Sequence, residues 1–273
     1  METEHEFDKY SSRYTALIRT LNSESTIAST IYSLESQTEP PNFFIIVDSG
    51  STDGTLSLLP ENSKVHHYSS KEFNFSEAIN QGIPYACDPY ILIISSHTAI
   101  IRKEAMAYAI RLLQSHEEIG AAYFCAEENQ ELTHKLIGLE NFDGFNGVWN
   151  TCALFRSALL RKRPFRPEVF SAEDQEWSKW LFESEGKFVA RLSGGRVSFN
   201  NPRKNLPRKR LNEYVAVASF VRPQMLKFPY LARVIYRIIR PVSKFSERKF
   251  NIYLLINLLS CRFYGKKFKS RYF

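Results

Sequence analysis

The sequence predicts an α/β protein built on an open, mostly parallel sheet flanked by helices. Two continuous apolar runs, residues 43–47 and 90–94, are typical of strands that are buried on both faces of a parallel sheet. Residues 26–35 place apolar side chains at positions i, i+4 and i+7, and residues 104–114 have the same helical period. Strands that alternate with helices in this way favour a parallel sheet.

The predicted strands end in polar residues. The segment 14–19 favours strand and is followed by Thr20 and Asn22, while 43–47 runs into a cluster of turn-forming residues that begins at Asp48. In an open α/β sheet, ligands bind off the carboxyl ends of the strands. We therefore expect a binding site where these ends meet, formed by Thr20, Asn22, Asp48, Ser95, Ser96 and His97.

Two shorter elements lie between the two continuous apolar runs. Residues 65–68 are compatible with a strand, and residues 76–82 are compatible with a helix for which Ser76 is the expected N-cap. His66 and His67 are expected to be surface residues outside the binding site.

Composition indicates a globular protein made in a reducing compartment. Of the 273 residues, 44% are hydrophobic and 24% are charged, which argues against bulk disorder. The four cysteines have neither disulfide-framework nor metal-ligand spacing. The acidic N-terminus has no apolar run behind it, and the longest apolar stretch, 252–259, is far shorter than the ~20 residues of a membrane-spanning helix. These features predict a cytoplasmic protein.

Charge divides the chain into two predicted parts. Residues 201–273 contain 18 lysines and arginines against 2 acids, whereas residues 1–200 contain 18 basic and 27 acidic residues. We expect an α/β domain over 1–200 and a basic, aromatic-rich helical extension over 201–273. The extension carries basic clusters at 203–204, 208–210 and 266–267.

Three interpretations of the extension remain open at this stage. Residues 234–240 alternate apolar and basic side chains, which is typical of a helix at an anionic membrane surface; residues 203–273 would then hold the protein peripherally on the inner face of the cytoplasmic membrane. A helical subdomain with a solvated basic face is the second interpretation. Nucleic-acid binding is the third, and we do not expect it because no recognised nucleic-acid module accompanies the charge.

Two acidic positions permit a structural and a functional interpretation. Asp48 can cap a turn, or it can accept hydrogen bonds from a nucleotide. Glu173 and Asp174 begin an amphipathic helix that contains Trp177, so they can complement the helix dipole. A carboxylate in a partly apolar pocket has a raised pKa and becomes a usable general base, and the aromatic and proline-rich loop before Glu173 favours that interpretation.

Six segments in order carry a resemblance to a known family: RTLN, IIVDSGSTDGT, FNFSEAINQGI, YILIISSH, NGVWNTCALFR and PFRPEVFSAEDQEW. They resemble family 2 glycosyltransferases with the GT-A fold, and the resemblance covers roughly residues 14–200. The resemblance implies that Thr20, Asn22, Asp48 and Asn80 hold the nucleotide, with Ser95 and Ser96 beside it. It also implies that Asp174 is the catalytic base and that Glu173 and Trp177 face the acceptor.

The sequence departs from the family pattern at its metal site. Ser95-Ser96-His97 stands in place of the DxD motif, and residues 197–200 read VSFN where V-x-H is expected. His97 is then the candidate ligand for a divalent cation, Mg²⁺ or Mn²⁺, although these ions prefer oxygen ligands. The QxxRW motif of processive members is absent.

The predicted function is an inverting transfer of one sugar. The donor is a nucleotide sugar, and the acceptor is a hydroxyl of a glycan or lipid-linked molecule in surface-polysaccharide assembly. Two alternatives are a non-catalytic relative that binds nucleotide sugars, because the DxD carboxylates are missing, and an adaptor that acts through its basic tail.

Overall fold

The computed structural model describes residues 13–69, 73–127, 130–200, 206–240 and 244–264. Ten strands lie in these ranges: β1 (Tyr14–Thr20), β2 (Phe43–Asp48), β3 (Ser63–His67), β4 (Tyr90–Ser95), β5 (Thr98–Ile100), β6 (Ile119–Phe124), β7 (Thr133–Ile137), β8 (Cys152–Arg156), β9 (Phe188–Ser193) and β10 (Val197–Phe199). Eight of them form one sheet in the order β3-β2-β1-β4-β8-β6-β9-β7, and β10 pairs with β5 in a second, two-stranded sheet.

The predicted α/β sheet is confirmed, with an antiparallel strand at its middle. The half that contains β3, β2, β1 and β4 is parallel throughout, as is expected of strands joined by helical crossovers. β8 runs antiparallel to both β4 and β6, β9 is parallel to β6, and β7 is antiparallel to β9. The sheet is therefore mixed, and its parallel half carries the strand ends that the sequence singles out.

Five helices cover the two faces of this sheet: α1 (Ile27–Glu35), α2 (Phe75–Gly82), α3 (Ala105–Ser115), α4 (Ser157–Lys162) and α5 (Glu173–Ser184). Side chains alternate along the buried strands, so that Ile18 packs with α1 and α3 whereas Leu17 packs with α2 and α5. Helix α2 approaches the sheet closely: a Cβ atom on Gly82 would lie 2.6 Å from Cδ1 of Leu17.

The predicted N-cap of α2 is wrong by two residues. Asn74 caps the helix, because its side chain accepts a hydrogen bond of 3.2 Å from the backbone N–H of Glu77. The Ser76 hydroxyl instead donates to the backbone carbonyl of Arg166 at 2.9 Å. Both Asn74 and Ser76 are typical capping residues, and the contact with a distant loop decides between them.

The extension is helical where it is described. It comprises α6 (Leu206–Ala216), a π-helical turn (Val217–Val221), a 3₁₀ turn (Pro223–Leu226), α7 (Phe228–Ile239) and α8 (Phe245–Tyr264). The predicted membrane-surface segment 234–240 lies almost wholly in α7, and the basic cluster 208–210 lies in α6. The clusters at 203–204 and 266–267 lie outside the described residues. None of the helices in the described ranges has the length and apolar character to cross a membrane.

The extension and the loop before α5 share one hydrophobic cluster, which we call the extension cluster. Its buried members are Val169, Phe170, Ala172, Val215, Ala216, Val217, Ala218, Val221, Met225, Leu231, Val234, Leu254 and Leu258. The predicted domain boundary at residue 200 therefore separates two parts of the chain that pack against each other. The contact on the side of the α/β domain is made by the residues just before Glu173. All four cysteines are free thiols.

Candidate active site

The predicted strand ends lie side by side at one edge of the sheet. β1 and β2 pair in parallel with Thr20 opposite Asp48, and β1 and β4 pair with Arg19 opposite Ser95. The carboxyl ends of three adjacent strands therefore open onto the same crevice, which is the usual ligand position in an open α/β sheet.

Asp48 orients the loop that follows β2. Its carboxylate is almost fully buried and accepts hydrogen bonds from the backbone N–H of Gly50 and of Ser51, both at 3.1 Å, and from the Ser51 hydroxyl at 2.5 Å. His67 is exposed, as expected, but it does not lie apart from the site: β3 places it opposite Asp48, and its Nδ1 lies 3.5 Å from Oδ2 of Asp48. His66 faces away and pairs with Gln81.

Asn22 joins the end of β1 to the same loop. It adopts a left-handed backbone conformation, with φ of 47°, which asparagine tolerates better than most residues. Its side-chain oxygen accepts a hydrogen bond of 2.8 Å from Thr52 N–H, and its own N–H donates to the Ser51 hydroxyl at 2.9 Å. Thr20 Oγ1 nearby is buried, and no group in the described part of the chain hydrogen-bonds to it. A buried hydroxyl in this state is a candidate contact for a bound ligand.

The end of β4 carries hydroxyls and an imidazole. The Ser96 hydroxyl is buried 2.7 Å from that of Ser23, and the backbone of His97 accepts a hydrogen bond of 2.8 Å from Asn200 N–H. The 197–200 segment therefore lies beside Ser95-Ser96-His97. These are the two segments that stand at the metal-binding positions of the family pattern. These donors fit Mg²⁺ or Mn²⁺ poorly because a carboxylate is missing. Among the residues that the structure describes, no group of three or more His, Cys, Asp or Glu side chains could hold a metal ion.

Glu173 and Asp174 lie at the N-terminus of α5, where the helix dipole favours negative charge. Asp174 is half-buried and accepts hydrogen bonds from the backbone N–H of Asn150 at 3.2 Å and of Gln175 at 2.8 Å. Glu173 is buried and accepts a hydrogen bond of 2.8 Å from Nδ2 of Asn150. Asn150 thus positions both carboxylates, one through its backbone and one through its side chain.

The surroundings raise the pKa of Asp174 from 3.8 to about 7. Removal from water is the main cause, and the nearby carboxylates of Glu173 and Glu213 act in the same direction, whereas the hydrogen bonds from Asn150 and Gln175 oppose them. A carboxylate with a pKa near 7 accepts a proton effectively at neutral pH. The second interpretation of Asp174, as a general base, therefore has a physical basis beyond helix-end electrostatics.

Arg19 brings a positive charge to these carboxylates. Its Nη2 lies 3.4 Å from Oδ1 of Asn150, and its guanidinium lies over the Phe75 ring at 5.0 Å from the ring centre. Burial lowers the pKa of Arg19, while the charges of Glu173 and Asp174 raise it. Its Nε is buried, and no hydrogen-bond partner for it lies in the described ranges. Arg19 was not predicted to be a site residue, because the sequence of a strand does not show whether an arginine within it faces a binding site.

The loop before β8 fastens the first turns of α5. Gln175 accepts from Gly147 N–H at 2.9 Å and donates to the Val148 carbonyl at 2.8 Å, and the Ser178 hydroxyl accepts from Val148 N–H at 2.8 Å. A Cβ on Gly147 would lie 2.6 Å from the Ser178 hydroxyl, so the loop touches the helix directly. Asp174 is consequently held on a rigid element.

The sequence model for glycosyl transferase family 2 matches residues 15–165, more than half of the chain. The chain belongs to glycosyl transferase family 2. The match covers the parallel half of the sheet and its strand ends, and it stops before α5. No curated protein matches the chain.

Solved glycosyltransferase structures share the fold of this family 2 chain. Residues 1–349 of S. aureus TarS align with a TM-score of 0.59 and 18% identity, over 91% of this chain and 80% of that TarS fragment. The mannosyltransferase PcManGT from Pyrobaculum calidifontis, in complex with GDP-Man and Mn²⁺, aligns with a TM-score of 0.61 and 15% identity, over 93% and 88% of the two chains. Glucosyl-3-phosphoglycerate synthase from Mycobacterium tuberculosis, with Mn²⁺, UDP and phosphoglyceric acid, aligns at 0.59 and 17%, over 80% of each chain.

Two residues that the family resemblance assigns to ligands have other contacts in this glycosyltransferase. Trp177, expected on the acceptor side, is fully buried against Phe155 and Phe165, and its Nε1 donates to the Arg163 carbonyl at 2.9 Å. Asn80, expected at the nucleotide, exchanges two hydrogen bonds with the backbone of Phe165, of 2.6 and 3.0 Å. Trp177 anchors α5 in the hydrophobic core, and Asn80 fixes the loop that leads to this helix.

Glu213 of the extension acts on the site through its charge. It lies on α6 and is half-buried; burial raises its pKa, as does the charge of Glu173, while Lys209 lowers it. Its charge in turn raises the pKa of Asp174. Sequence reasoning placed the extension outside the catalytic domain and so gave no reason to consider Glu213.

Replacing Asn80 with alanine tests its positioning role. We expect a loss of about 1–2 kcal/mol in the free energy of unfolding, because two backbone groups of Phe165 lose their partner. We also expect a fall in kcat that exceeds any change in donor Kd, because the loop ends at Glu173. Chemical denaturation, calorimetry with the donor nucleotide and transfer kinetics measure these quantities. The matched control is Gln81→Ala, which is exposed and whose amide hydrogen-bonds to His66. A donor Kd weakened more than kcat would show instead that Asn80 contacts the nucleotide.

Proposed function

We propose that this chain transfers one sugar, with inversion, from a nucleotide-sugar donor to a hydroxyl of a glycan or lipid-linked acceptor in surface-polysaccharide assembly. The observation that carries the proposal is Asp174, a half-buried carboxylate with a pKa of about 7 that the helix start, Asn150 and Gln175 hold in place. The bound ligands of PcManGT and of the synthase, GDP-Man and UDP, support a nucleoside diphosphate on the donor side.

In the proposed reaction Asp174 is the base. As the acceptor oxygen forms its bond to the anomeric carbon, its proton passes to Asp174, and the bond from that carbon to the diphosphate breaks with its electron pair leaving on the diphosphate. The transition state resembles an oxocarbenium ion, by analogy with glycoside hydrolysis. Glu173 and Asn150 lie on the same side as the base and are proposed to face the acceptor.

The donor is proposed to bind at the strand ends. The loop that Asp48 and Asn22 organise, the buried Thr20 hydroxyl and the hydroxyls of Ser95 and Ser96 offer acceptors and donors to a nucleoside diphosphate. His97 remains our candidate for a divalent-cation contact, and a bound metal would supply charge to the departing diphosphate.

A thermal-shift screen against UDP-, GDP- and dTDP-sugars, each with Mn²⁺ or with EDTA, tests the proposal. A ligand at about 100 times its Kd stabilises the fold by about 2.7 kcal/mol, so we expect one nucleotide class to raise Tm by several degrees. Mass spectrometry of reactions with glycan and lipid-linked acceptors then detects the product. Absence of any nucleotide-dependent shift contradicts the proposal. Binding without product across the acceptors favours the non-catalytic relative, which the missing DxD carboxylates motivate.

A further inference from the structure

Helices α7 and α8 each have a second apolar face that is exposed among the described residues. In α7, Leu231 and Val234 are buried in the extension cluster, and in α8 Leu254 and Leu258 are buried there. These buried residues occupy one side of each helix. Large apolar side chains nevertheless continue around both helices onto the exposed side: Phe228, Ile235, Tyr236, Ile239, Phe245, Ile252, Tyr253, Ile256 and Phe263.

The exposed side chains form continuous stripes along the helices. In α7, Phe228, Ile235 and Ile239 are spaced at i, i+7 and i+11, which places them on one helical face. In α8, Phe245, Ile252, Ile256 and Phe263 are spaced at i, i+7, i+11 and i+18, again on one face. We call these two rows the outer stripe. Scattered exposed apolar residues are ordinary on a protein surface, whereas a contiguous patch of this kind marks an interaction site.

The outer stripe lies among positive charges. Residues 227–264 contain eight lysines and arginines and a single acid, Glu247. Arg233 and Arg237 are exposed on α7, Arg240 is exposed directly after it, and Lys249 is exposed within the stripe of α8. Basic and aromatic side chains beside an exposed aliphatic face are the pattern of a helix that lies in the plane of an anionic membrane interface.

We propose that α7 and α8 bind an anionic lipid bilayer, with the outer stripe in the boundary between headgroups and acyl chains and the basic side chains at the headgroup phosphates. Charge argues against a second copy of the chain as the occupant, because two equally basic faces repel each other. A nucleic acid would neutralise the charge but would leave the aliphatic side chains in water. A lipid surface accommodates both features.

The membrane-bound helices are joined to the active site. The same cluster that buries the inner faces of α7 and α8 includes Phe170 and Ala172, which precede Glu173. Docking would therefore hold the start of α5 near the bilayer, where a lipid-linked acceptor resides. This last step rests on the proposed function, whereas membrane binding itself does not.

Vesicle flotation of the full-length protein tests the proposal. The double variant Ile239→Ser and Phe245→Ser removes two of the most exposed members of the outer stripe, whose side chains are 69% and 84% exposed, so the fold loses little packing. The matched control is Tyr32→Ser on α1, an aromatic residue that is 72% exposed on the other part of the molecule. Vesicles contain phosphatidylcholine alone or with about 30% phosphatidylglycerol. A thermal-shift measurement with the donor nucleotide verifies that each variant is folded and binds its ligand.

We expect the wild type and Tyr32→Ser to float with the anionic vesicles, and the double variant to show at least a ~10-fold lower partition coefficient. Binding should weaken with phosphatidylcholine alone and at high salt, because screening removes the headgroup attraction. Wild type that stays with the soluble fraction, or a double variant that floats equally well, overturns the proposal. So does a wild-type dimer in light scattering that becomes monomeric in the double variant, since the outer stripe would then be a subunit interface. Failure of flotation with intact nucleotide binding would leave the proposed transferase function standing.

Discussion

We expect Asp174→Asn to lose about 10³-fold in kcat while its affinity for the donor nucleotide changes little. Asparagine keeps the shape of the side chain and can accept the hydrogen bond from the backbone of either Asn150 or Gln175 with its one oxygen, but it cannot take up the acceptor proton. General base catalysis contributes about 10²–10⁴-fold. Transfer kinetics at saturating donor and calorimetry with the nucleotide separate the two effects. The matched control is Glu183→Gln on the same helix, an exposed acid 4.0 Å from Lys179, which should retain wild-type rates.

The wild-type enzyme should also show the titration of this carboxylate. With the pKa of Asp174 at about 7, kcat/KM should fall about tenfold for each pH unit below that value and reach a plateau above it. A profile measured from pH 5 to 9 without an inflection near 7 would mean that another group accepts the proton.

The same substitution should raise stability at alkaline pH. Because the folded-state pKa is raised from 3.8 to about 7, the folded protein binds this proton more tightly than the unfolded chain does. The carboxyl group thus favours folding most at low pH, and that contribution is lost as the pH rises through 7. Asparagine carries no charge to bury, so Asp174→Asn should melt a few degrees above the wild type at pH 8, with the difference shrinking towards acid pH. A lower Tm at pH 8 would contradict the buried environment of the carboxylate.

The second large effect is expected in the loop that follows β2, where the donor nucleotide is proposed to bind. Asp48→Asn should weaken donor binding by more than ~10-fold and lower the free energy of unfolding by about 1–3 kcal/mol. The hydrogen bonds from Gly50 and Ser51 N–H then end on a neutral oxygen instead of a charged one, and an amide nitrogen replaces the oxygen that accepts from the Ser51 hydroxyl. Calorimetry with the nucleotide that stabilises the wild type, and chemical denaturation, measure the two quantities.

Asp53→Asn in the same loop is the matched control for Asp48. Asp53 accepts hydrogen bonds from the backbone of Thr55 at 3.1 Å and of Glu24 at 3.2 Å, and asparagine is an equally good cap. We expect its donor affinity to stay within about threefold of the wild type. If both variants bind the donor like the wild type, Asp48 serves only as a turn cap.

The parallel half of the fold is predictable from sequence because its signals are local. Continuous apolar runs mark β2 and β4, turn-forming residues mark their ends, and parallel strands bring those ends to one edge. Asp48 and Ser95 could therefore be placed together without any contact information. The antiparallel insertion of β8 between β4 and β6 is not predictable in this way, because it depends on pairing between segments far apart in the chain.

The site residues that were not predicted from sequence are positioned by strand register or by contacts between distant segments. His67 lies beside Asp48 through the pairing of β3 with β2, and the charge of Glu213 acts on Asp174 from the extension. Asn150 and Gln175 form hydrogen bonds that join a loop to a helix, and no local sequence pattern predicts these bonds. The raised pKa of Asp174 likewise follows from burial and neighbouring charge, which a helix-start motif does not show.

The extension cluster constrains how the amino-acid sequence of this protein can change. Val169 and Phe170 precede the proposed base, and they share their packing with Val215, Leu231 and Leu254 from the tail. A tail exchanged with that of a relative would alter the packing beneath Ala172 and with it the environment that sets the proton affinity of Asp174. Tail and catalytic helix are therefore constrained to change together, so that a graft intended to redirect the enzyme to another surface must carry residues 164–172 with it.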